Sequence, residues 1–195
     1  MIYDKETLRH YLEEDRKALG IRRKRPRFFG DEIWKYQRLM RRLEFYYTSH
    51  GLINKIIRYL LRYLFHKKSM QLGFSIPINV FGPGLSIAHY GTIVVSPSAI
   101  IGKNCRIHEG VTIGSTNGSS KAATIGDNVF IGSGAKIIGE VRISSNVAIA
   151  ANAVVVKDII TEKGCTIGGV PAKVISQNDS SSNIINIPSH RSEDI

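Results

Sequence analysis

Two histidines, His89 and His108, carry most of the chemistry this chain could perform. Imidazole is the side chain whose proton affinity suits acid–base work near neutral pH, and two that meet form a candidate proton-transfer site. Shortly after them comes a run of small and polar residues, Ser115-Thr116-Asn117-Gly118-Ser119-Ser120-Lys121-Ala122-Ala123, whose backbone donors could approach a ligand closely. The two cysteines, Cys105 and Cys165, are too few for a disulfide framework. Both are expected as buried thiols acting as small hydrophobes, which leaves no cysteine nucleophile for a covalent intermediate.

Elements must position these groups, and the sequence specifies them by period. An aliphatic returns every sixth residue: Val95, Ile101, Ile107, Ile113, Ile125, Ile131, Ile137, Ile143, Ile149, Val155 and Ile167, with steps missing at Ser119 and Thr161. Two residues before most of them sits a small or β-branched residue, such as Ala99, Cys105, Ala135 or Cys165. A period of six fits neither a helix nor a plain alternating strand; it is the hexapeptide repeat of a parallel β-helix. Three hexapeptides make one coil, so residues 18 apart stack. His89 stands one such step before Ile107 and belongs to the coil below it. Strict counting would turn it inward, where an ionisable ring is costly. Gly91 and the Gly82-Pro83-Gly84 turn allow the register to slip and face it outward. His108 follows His89 by one position more than a coil, so it falls on the next coil, one position along the same side. The run at 115–123 spans a missing step after which the phase resumes, so it reads as a loop thrown off the prism. It is either a functional loop or a plain surface bulge.

The fold class expected is α+β: a helical N-terminal domain (1–70), a left-handed parallel β-helix of hexapeptide repeats (71–175) and a disordered polar tail (176–195). Helices are predicted near Lys5–Asp15, Asp31–Tyr47 and Leu52–Lys67. The third would face Ile53, Ile56, Ile57, Leu60, Leu61 and Leu64 inward. Residues 1–70 hold 18 Lys/Arg against 8 Asp/Glu, and the rest 9 against 8. That basic half is either a solvated cap over the end of the β-helix or a contact for an anionic membrane surface. No nucleic-acid motif or aromatic–basic interleaving accompanies it, so no nucleic-acid partner is expected. The opening Met1-Ile2-Tyr3-Asp4-Lys5-Glu6 has no apolar core of a signal peptide, and no apolar run is long enough to span a bilayer. A cytoplasmic location is expected, peripheral to the inner face of the membrane if the second reading of the basic half holds.

Four segments give the chain a family resemblance. They are Ser86-Ile87-Ala88-His89-Tyr90-Gly91-Thr92-Ile93-Val94-Val95, the excursion at 115–123, Ile131-Gly132-Ser133-Gly134-Ala135-Lys136-Ile137-Ile138-Gly139 and Gly168-Gly169-Val170-Pro171-Ala172-Lys173. Together they resemble serine acetyltransferase. The resemblance implies an O-acetyltransferase that uses acetyl-CoA and no metal, with His89 as general base and His108 beside it. It places Ser115, Ser133, Ala151, Lys157 and Lys173 along a coenzyme A groove between neighbouring subunits of a homotrimer. Three departures stand out. The family carries Asp immediately before the catalytic His, where Ala88 stands here. A second Asp maps near Phe74, and an Arg-His pair maps to Lys121-Ala122. Charged groups of an amino acid would lack partners there. The expected acceptor is therefore a sugar hydroxyl of capsule or exopolysaccharide assembly, held by Ser86, Tyr90, Asn117 and Ser119, with Lys121 the remaining carboxylate partner. The alternatives are serine O-acetyltransfer in cysteine biosynthesis, for which Ile195 resembles the terminal residue that docks cysteine synthase, and a non-catalytic scaffold.

Overall fold

The computed structural model describes residues 1–116 and 118–185. Three helices come first: α1 (Lys5–Ala18), α2 (Glu32–Thr48) and α3 (Leu52–Leu72). Asp4 caps α1, accepting from the Thr7 N–H at 2.7 Å, which satisfies a donor the helix leaves free. Gly73, in the left-handed region, ends α3.

The rest of the chain coils through short strands. They are β1 (Phe74–Ser75), β2 (Ser86–Ile87), β3 (Ile93–Val95), β4 (Ile100–Ile101), β5 (Arg106–Ile107), β6 (Thr112–Gly114), β7 (Thr124–Ile125), β8 (Phe130–Ile131), β9 (Lys136–Ile138), β10 (Arg142–Ile143), β11 (Val147–Ile149), β12 (Val154–Val155), β13 (Cys165–Gly168) and β14 (Lys173–Ser176). They form three sheets. The first runs β1-β3-β6-β9-β12, the second β4-β7-β10, and the third β2-β5-β8-β11-β13, with β14 antiparallel at its end. Every other pairing is parallel. From β2 to β12 successive strands visit the three sheets in turn, which is a parallel β-helix.

The six-residue period is the reason. Ile107, Ile131, Ile149 and Ile167 stack in the third sheet, Val95, Ile113, Ile137 and Val155 in the first, Ile101, Ile125 and Ile143 in the second, and all are buried. Each buried aliphatic is worth roughly 1.5–3 kcal/mol. Ala99, Ala135 and Ala153 fill the narrow corners, as do Cys105 and Cys165, whose thiols burial pushes up, Cys105 to about 12. Glycine follows the aliphatic where coils touch. A Cβ at Gly126 would lie 2.6 Å from the Ser145 nitrogen, and one at Gly132 2.7 Å from that of Ala151.

The two missing steps have different causes. At Ser119 the coil is longer. Ile101 pairs Ile125 and Ile107 pairs Ile131, where an ordinary coil would bring the partner one hexapeptide sooner. One whole hexapeptide has been thrown out as the excursion. At Thr161 the coil keeps its length, since Ile149 pairs Ile167; only the second-sheet side slips, where Ile143 bridges Ile159.

The helices close the start of the coil with a buried polar network. Arg41 is fully buried and pairs Asp15 at 2.8 Å and Glu44 at 3.1 Å, and donates to the carbonyls of Phe81 and Gly82. Asp15 accepts from the N–H groups of Gly84 and Leu85, and Glu44 from that of Asn79. Gln37 donates to the Leu85 carbonyl and accepts from the Ile87 N–H. Tyr36, Met40 and Leu72 continue the apolar core of the prism. The helices thus close the start of the β-helix, as the first reading of the basic half expects, and leave their outer face open to the second.

Two expectations need correction. Ile53, Ile56, Leu60 and Leu64 of α3 are exposed rather than inward, and Ile57 and Leu61 are half-buried. The helix is apolar on two sides, and it meets α2 through the other, where Phe65 stacks on Tyr36 at 5.1 Å. The polar tail is not without structure from 176 onward. Ser180 is buried, and its N–H bonds the Asn146 carbonyl at 3.2 Å. Residues 186–195, with Ile195, lie outside the described residues.

Candidate active site

A parallel β-helix presents its chemistry at corners, where chain leaves one sheet for the next. His89 sits between β2 and β3, at the corner joining the third sheet to the first. Before the corner Ile87 pairs Ile107; after it Val94 pairs Thr112. The offset between partners drops by two across the corner, so the coil of His89 holds two residues more there than the coil above. They widen the corner, and His89 and Tyr90 are exposed on it. The slip that the glycines permit thus occurs, and the imidazole escapes the interior.

His108 emerges from the next coil at the same corner. The two ring centroids are 5.4 Å apart in an edge-to-face arrangement. His108 also packs on Phe130 at 5.1 Å, and its Nδ1 faces the Ser133 hydroxyl at 3.4 Å. Its Nε2 is buried without a partner among the described residues. Burial first, then the charge of Arg106 and the neighbouring His89, holds the His108 pKa below the ordinary 6.5, with Glu109 opposing. These surroundings favour the neutral ring.

Glu109 joins them. The Glu109 side chain lies under Gly91, where an added Cβ would stand 3.1 Å from its own Cβ. One ligand-type atom from each of His89, His108 and Glu109 falls within 4.8 Å of the others. The carboxyl is held below its ordinary 4.5 by its own backbone N–H, then by the Ser133 hydroxyl, with His89 and His108 adding to the effect. An ionised carboxylate thus faces two imidazoles, and one of its oxygens is buried and without a partner among the described residues. Such a group can orient His89 and stabilise it as an imidazolium. The same three groups are the candidate metal ligands among the described residues. The sequence spacing hid Glu109, because strict counting sets residue 107 opposite His89.

The remaining predicted residues divide between two corners. By extension of the β5–β8 and β8–β11 registers, Glu109, Ser133 and Ala151 climb the corner of His89. Ser133 thus stands against His108 as well as on the expected groove, and Ala151 is exposed one coil further. Lys173, in β14, pairs Gly168 and is exposed. Ser115 and Lys157, both exposed, flank Gly139 on the other edge of the first sheet, by extension of the β6–β9 and β9–β12 registers. The excursion stays there too: Thr116 touches the Gly139 position, and Lys121 pairs Glu140 at 3.0 Å. Lys121 thus has a carboxylate partner of its own at the exposed surface. Asn117 lies outside the described residues. Ser86, expected on the acceptor, is buried and accepts from Arg106. One chain does not bring Tyr90 and Lys121 together.

Residues 122–157 match the bacterial transferase hexapeptide (six repeats) family. Serine acetyltransferase of Synechococcus elongatus is 35% identical over 131 residues, 66% of this chain and 53% of that protein. The chain is similar to the serine acetyltransferases and carries hexapeptide repeats of the bacterial transferase kind. Its fold superposes on serine acetyltransferase of Brucella abortus in complex with coenzyme A with a TM-score of 0.67, at 27% identity, over 89% of this chain and 70% of that one. Serine acetyltransferase of Neisseria gonorrhoeae in complex with serine gives 0.63 at 28% identity, over 87% and 69%. This serine acetyltransferase-like chain spans about half the length of the curated relatives it matches.

Proposed function

We propose that the chain is an acetyl-CoA-dependent O-acetyltransferase whose general base is His89. The observation that carries the proposal is the His89–Glu109–His108 cluster on an exposed corner of a β-helix that superposes on a coenzyme A complex. His89 takes the proton of the acceptor hydroxyl as its oxygen attacks the thioester carbonyl. Glu109 steadies the resulting imidazolium, and the proton then passes to the departing thiolate. Backbone N–H groups of a neighbouring chain's excursion would steady the oxyanion. Buried Cys105 and Cys165 take no part, so transfer is direct.

The two-corner distribution supports a site shared between neighbours. Tyr90 and His89 stand on one edge of the first sheet; Ser115, Lys157 and the excursion stand on the other. A homotrimer of prisms, wound left-handed as the resemblance implies, would set one edge of each chain against the opposite edge of the next. Coenzyme A would lie in that groove, along Ser133, Ala151 and Lys173 of one chain and Ser115 and Lys157 of its neighbour.

For the acceptor, L-serine ranks above a sugar hydroxyl, because the matched relatives are named serine acetyltransferases and one neighbour holds serine. The sugar reading keeps one specific support: Ala88, buried Phe74, buried Ala122 and the Glu140-paired Lys121 offer no free charge to an amino acid. A kinetic comparison of L-serine with nucleotide-sugar and oligosaccharide acceptors, at equal acetyl-CoA, decides between them. Serine turnover with kcat/KM of about 10⁴ M⁻¹s⁻¹ or more upholds the first reading. Turnover of a sugar alone upholds the second, and no coenzyme A release with any acceptor refutes both.

A further inference from the structure

The proposed acetyl transfer uses no residue of the helices' outer face, yet that face has a chemistry of its own from end to end. Along α3, Leu52, Ile56, Tyr59, Tyr63 and Met70 follow one another at three-, four- and seven-residue steps, and each is more than half exposed. Such spacing makes one stripe, turned away from the side where Phe65 packs on Tyr36. Beside the stripe opens a cleft of about 860 Å³ between the α1–α2 link, α2 and α3. Arg25, Arg27, Lys35, Arg38, Lys67 and Lys68 line it, Arg27 paired with Asp31 and Lys35 and Lys68 with Glu32, and Leu64 joins it to the stripe. At its mouth, Phe28 and Phe29 are 87% and 84% exposed.

We propose that this face docks on an anionic lipid surface, the cleft receiving lipid phosphate while the α3 stripe and Phe28–Phe29 enter the boundary between headgroups and acyl chains. A helix with an apolar stripe and basic flanks lies in that plane. Each basic residue brought to an anionic leaflet strengthens binding roughly fivefold. Charge complementarity selects this occupant over a second copy. α3 carries Lys55, Arg58, Arg62, Lys67 and Lys68 and no Asp or Glu, so two copies joined by their stripes would set like charges face to face. A nucleic acid would use the cleft but leave Leu52, Ile56 and Met70 in water. The inference is independent of the acceptor and of the catalytic corner.

The test is co-sedimentation of the full chain with vesicles of phosphatidylcholine alone and with about one-third phosphatidylglycerol. Binding should be at least tenfold tighter to the anionic vesicles and should weaken with salt. Arg38→Glu with Lys67→Glu should reduce it by about tenfold or more. So should Ile56→Asp with Leu60→Asp, and so should the milder Tyr59→Ser with Tyr63→Ser, each with acetyl transfer unchanged. Failure to bind anionic vesicles, or equal binding to neutral ones, overturns the proposal. A fall in solution mass of the Ile56→Asp, Leu60→Asp chain with vesicle binding intact would assign the stripe to a second copy. Tighter binding to single-stranded RNA than to vesicles would assign the cleft to nucleic acid.

Discussion

With Ala88 before it, His89 has no carboxylate from its own segment, and Glu109 supplies one from the coil above. His89→Ala should lower kcat by about 100-fold or more while acetyl-CoA still binds, as loss of a general base implies; near-normal turnover would remove His89 from the mechanism. Glu109→Gln keeps the shape and removes the charge, and should lower kcat about 10- to 100-fold with little change in the KM for acetyl-CoA. The pH dependence of stability has a definite sign. His108 is depressed by burial, so below pH 6.5 the unfolded chain takes up that proton before the folded one does. Stability therefore falls as pH drops from 6.5 toward the lowered folded value, and the urea midpoint of His108→Gln should fall less over that range. The histidine pair was legible because its spacing nearly equals one coil. Glu109 was not, because the two-residue widening of one corner shifts the partner of His89, and nothing in the local pattern announces it.

Elements were readable wherever their cause is local. The aliphatic period fixes strand, sheet and inward face together, so every member of the series is buried where expected. Ile131→Ala removes a side chain stacked between Ile107 and Ile149 and should cost about 2–5 kcal/mol in urea unfolding. The orientation of α3 was not readable, since a helix apolar on two sides does not say which side its neighbour covers. The Arg41 network was equally hidden: its partners come from α1, α2 and the first coil, up to 41 residues away. Arg41→Ala leaves Asp15 and Glu44 buried without their counter-charge and should cost about 3–5 kcal/mol. A loss under about 1 kcal/mol would mean that water reaches the network and that the helices are held mainly by Tyr36, Met40 and Leu72.

For the whole molecule, the two-corner arrangement makes an assembly prediction. Mass in solution should be a multiple of three chains, and a monomer that turns over acetyl-CoA would refute the shared site. A sharper check mixes two inactive chains, His89→Ala and one lacking residues 116–121. If neighbours complete each other, co-assembled trimers regain activity, because some interfaces join an intact His89 to an intact excursion. If the site lies within one chain, mixing restores nothing. The β-helix also has a consequence for solubility. Asn104, Asn128 and Asn146 stack at one corner with amide-to-amide bonds of 2.9 and 3.0 Å, and the aliphatic ladders repeat in register beneath them. This is the arrangement by which amyloid filaments elongate, contained here in a few stacked coils. Growth is blocked at one end by the helices and at the other by β14, which lies antiparallel across the last strand of the third sheet. Chains cut before Lys173 expose that end alone, so they should pair there and double the mass in solution, and grow no further while the helices close the other end.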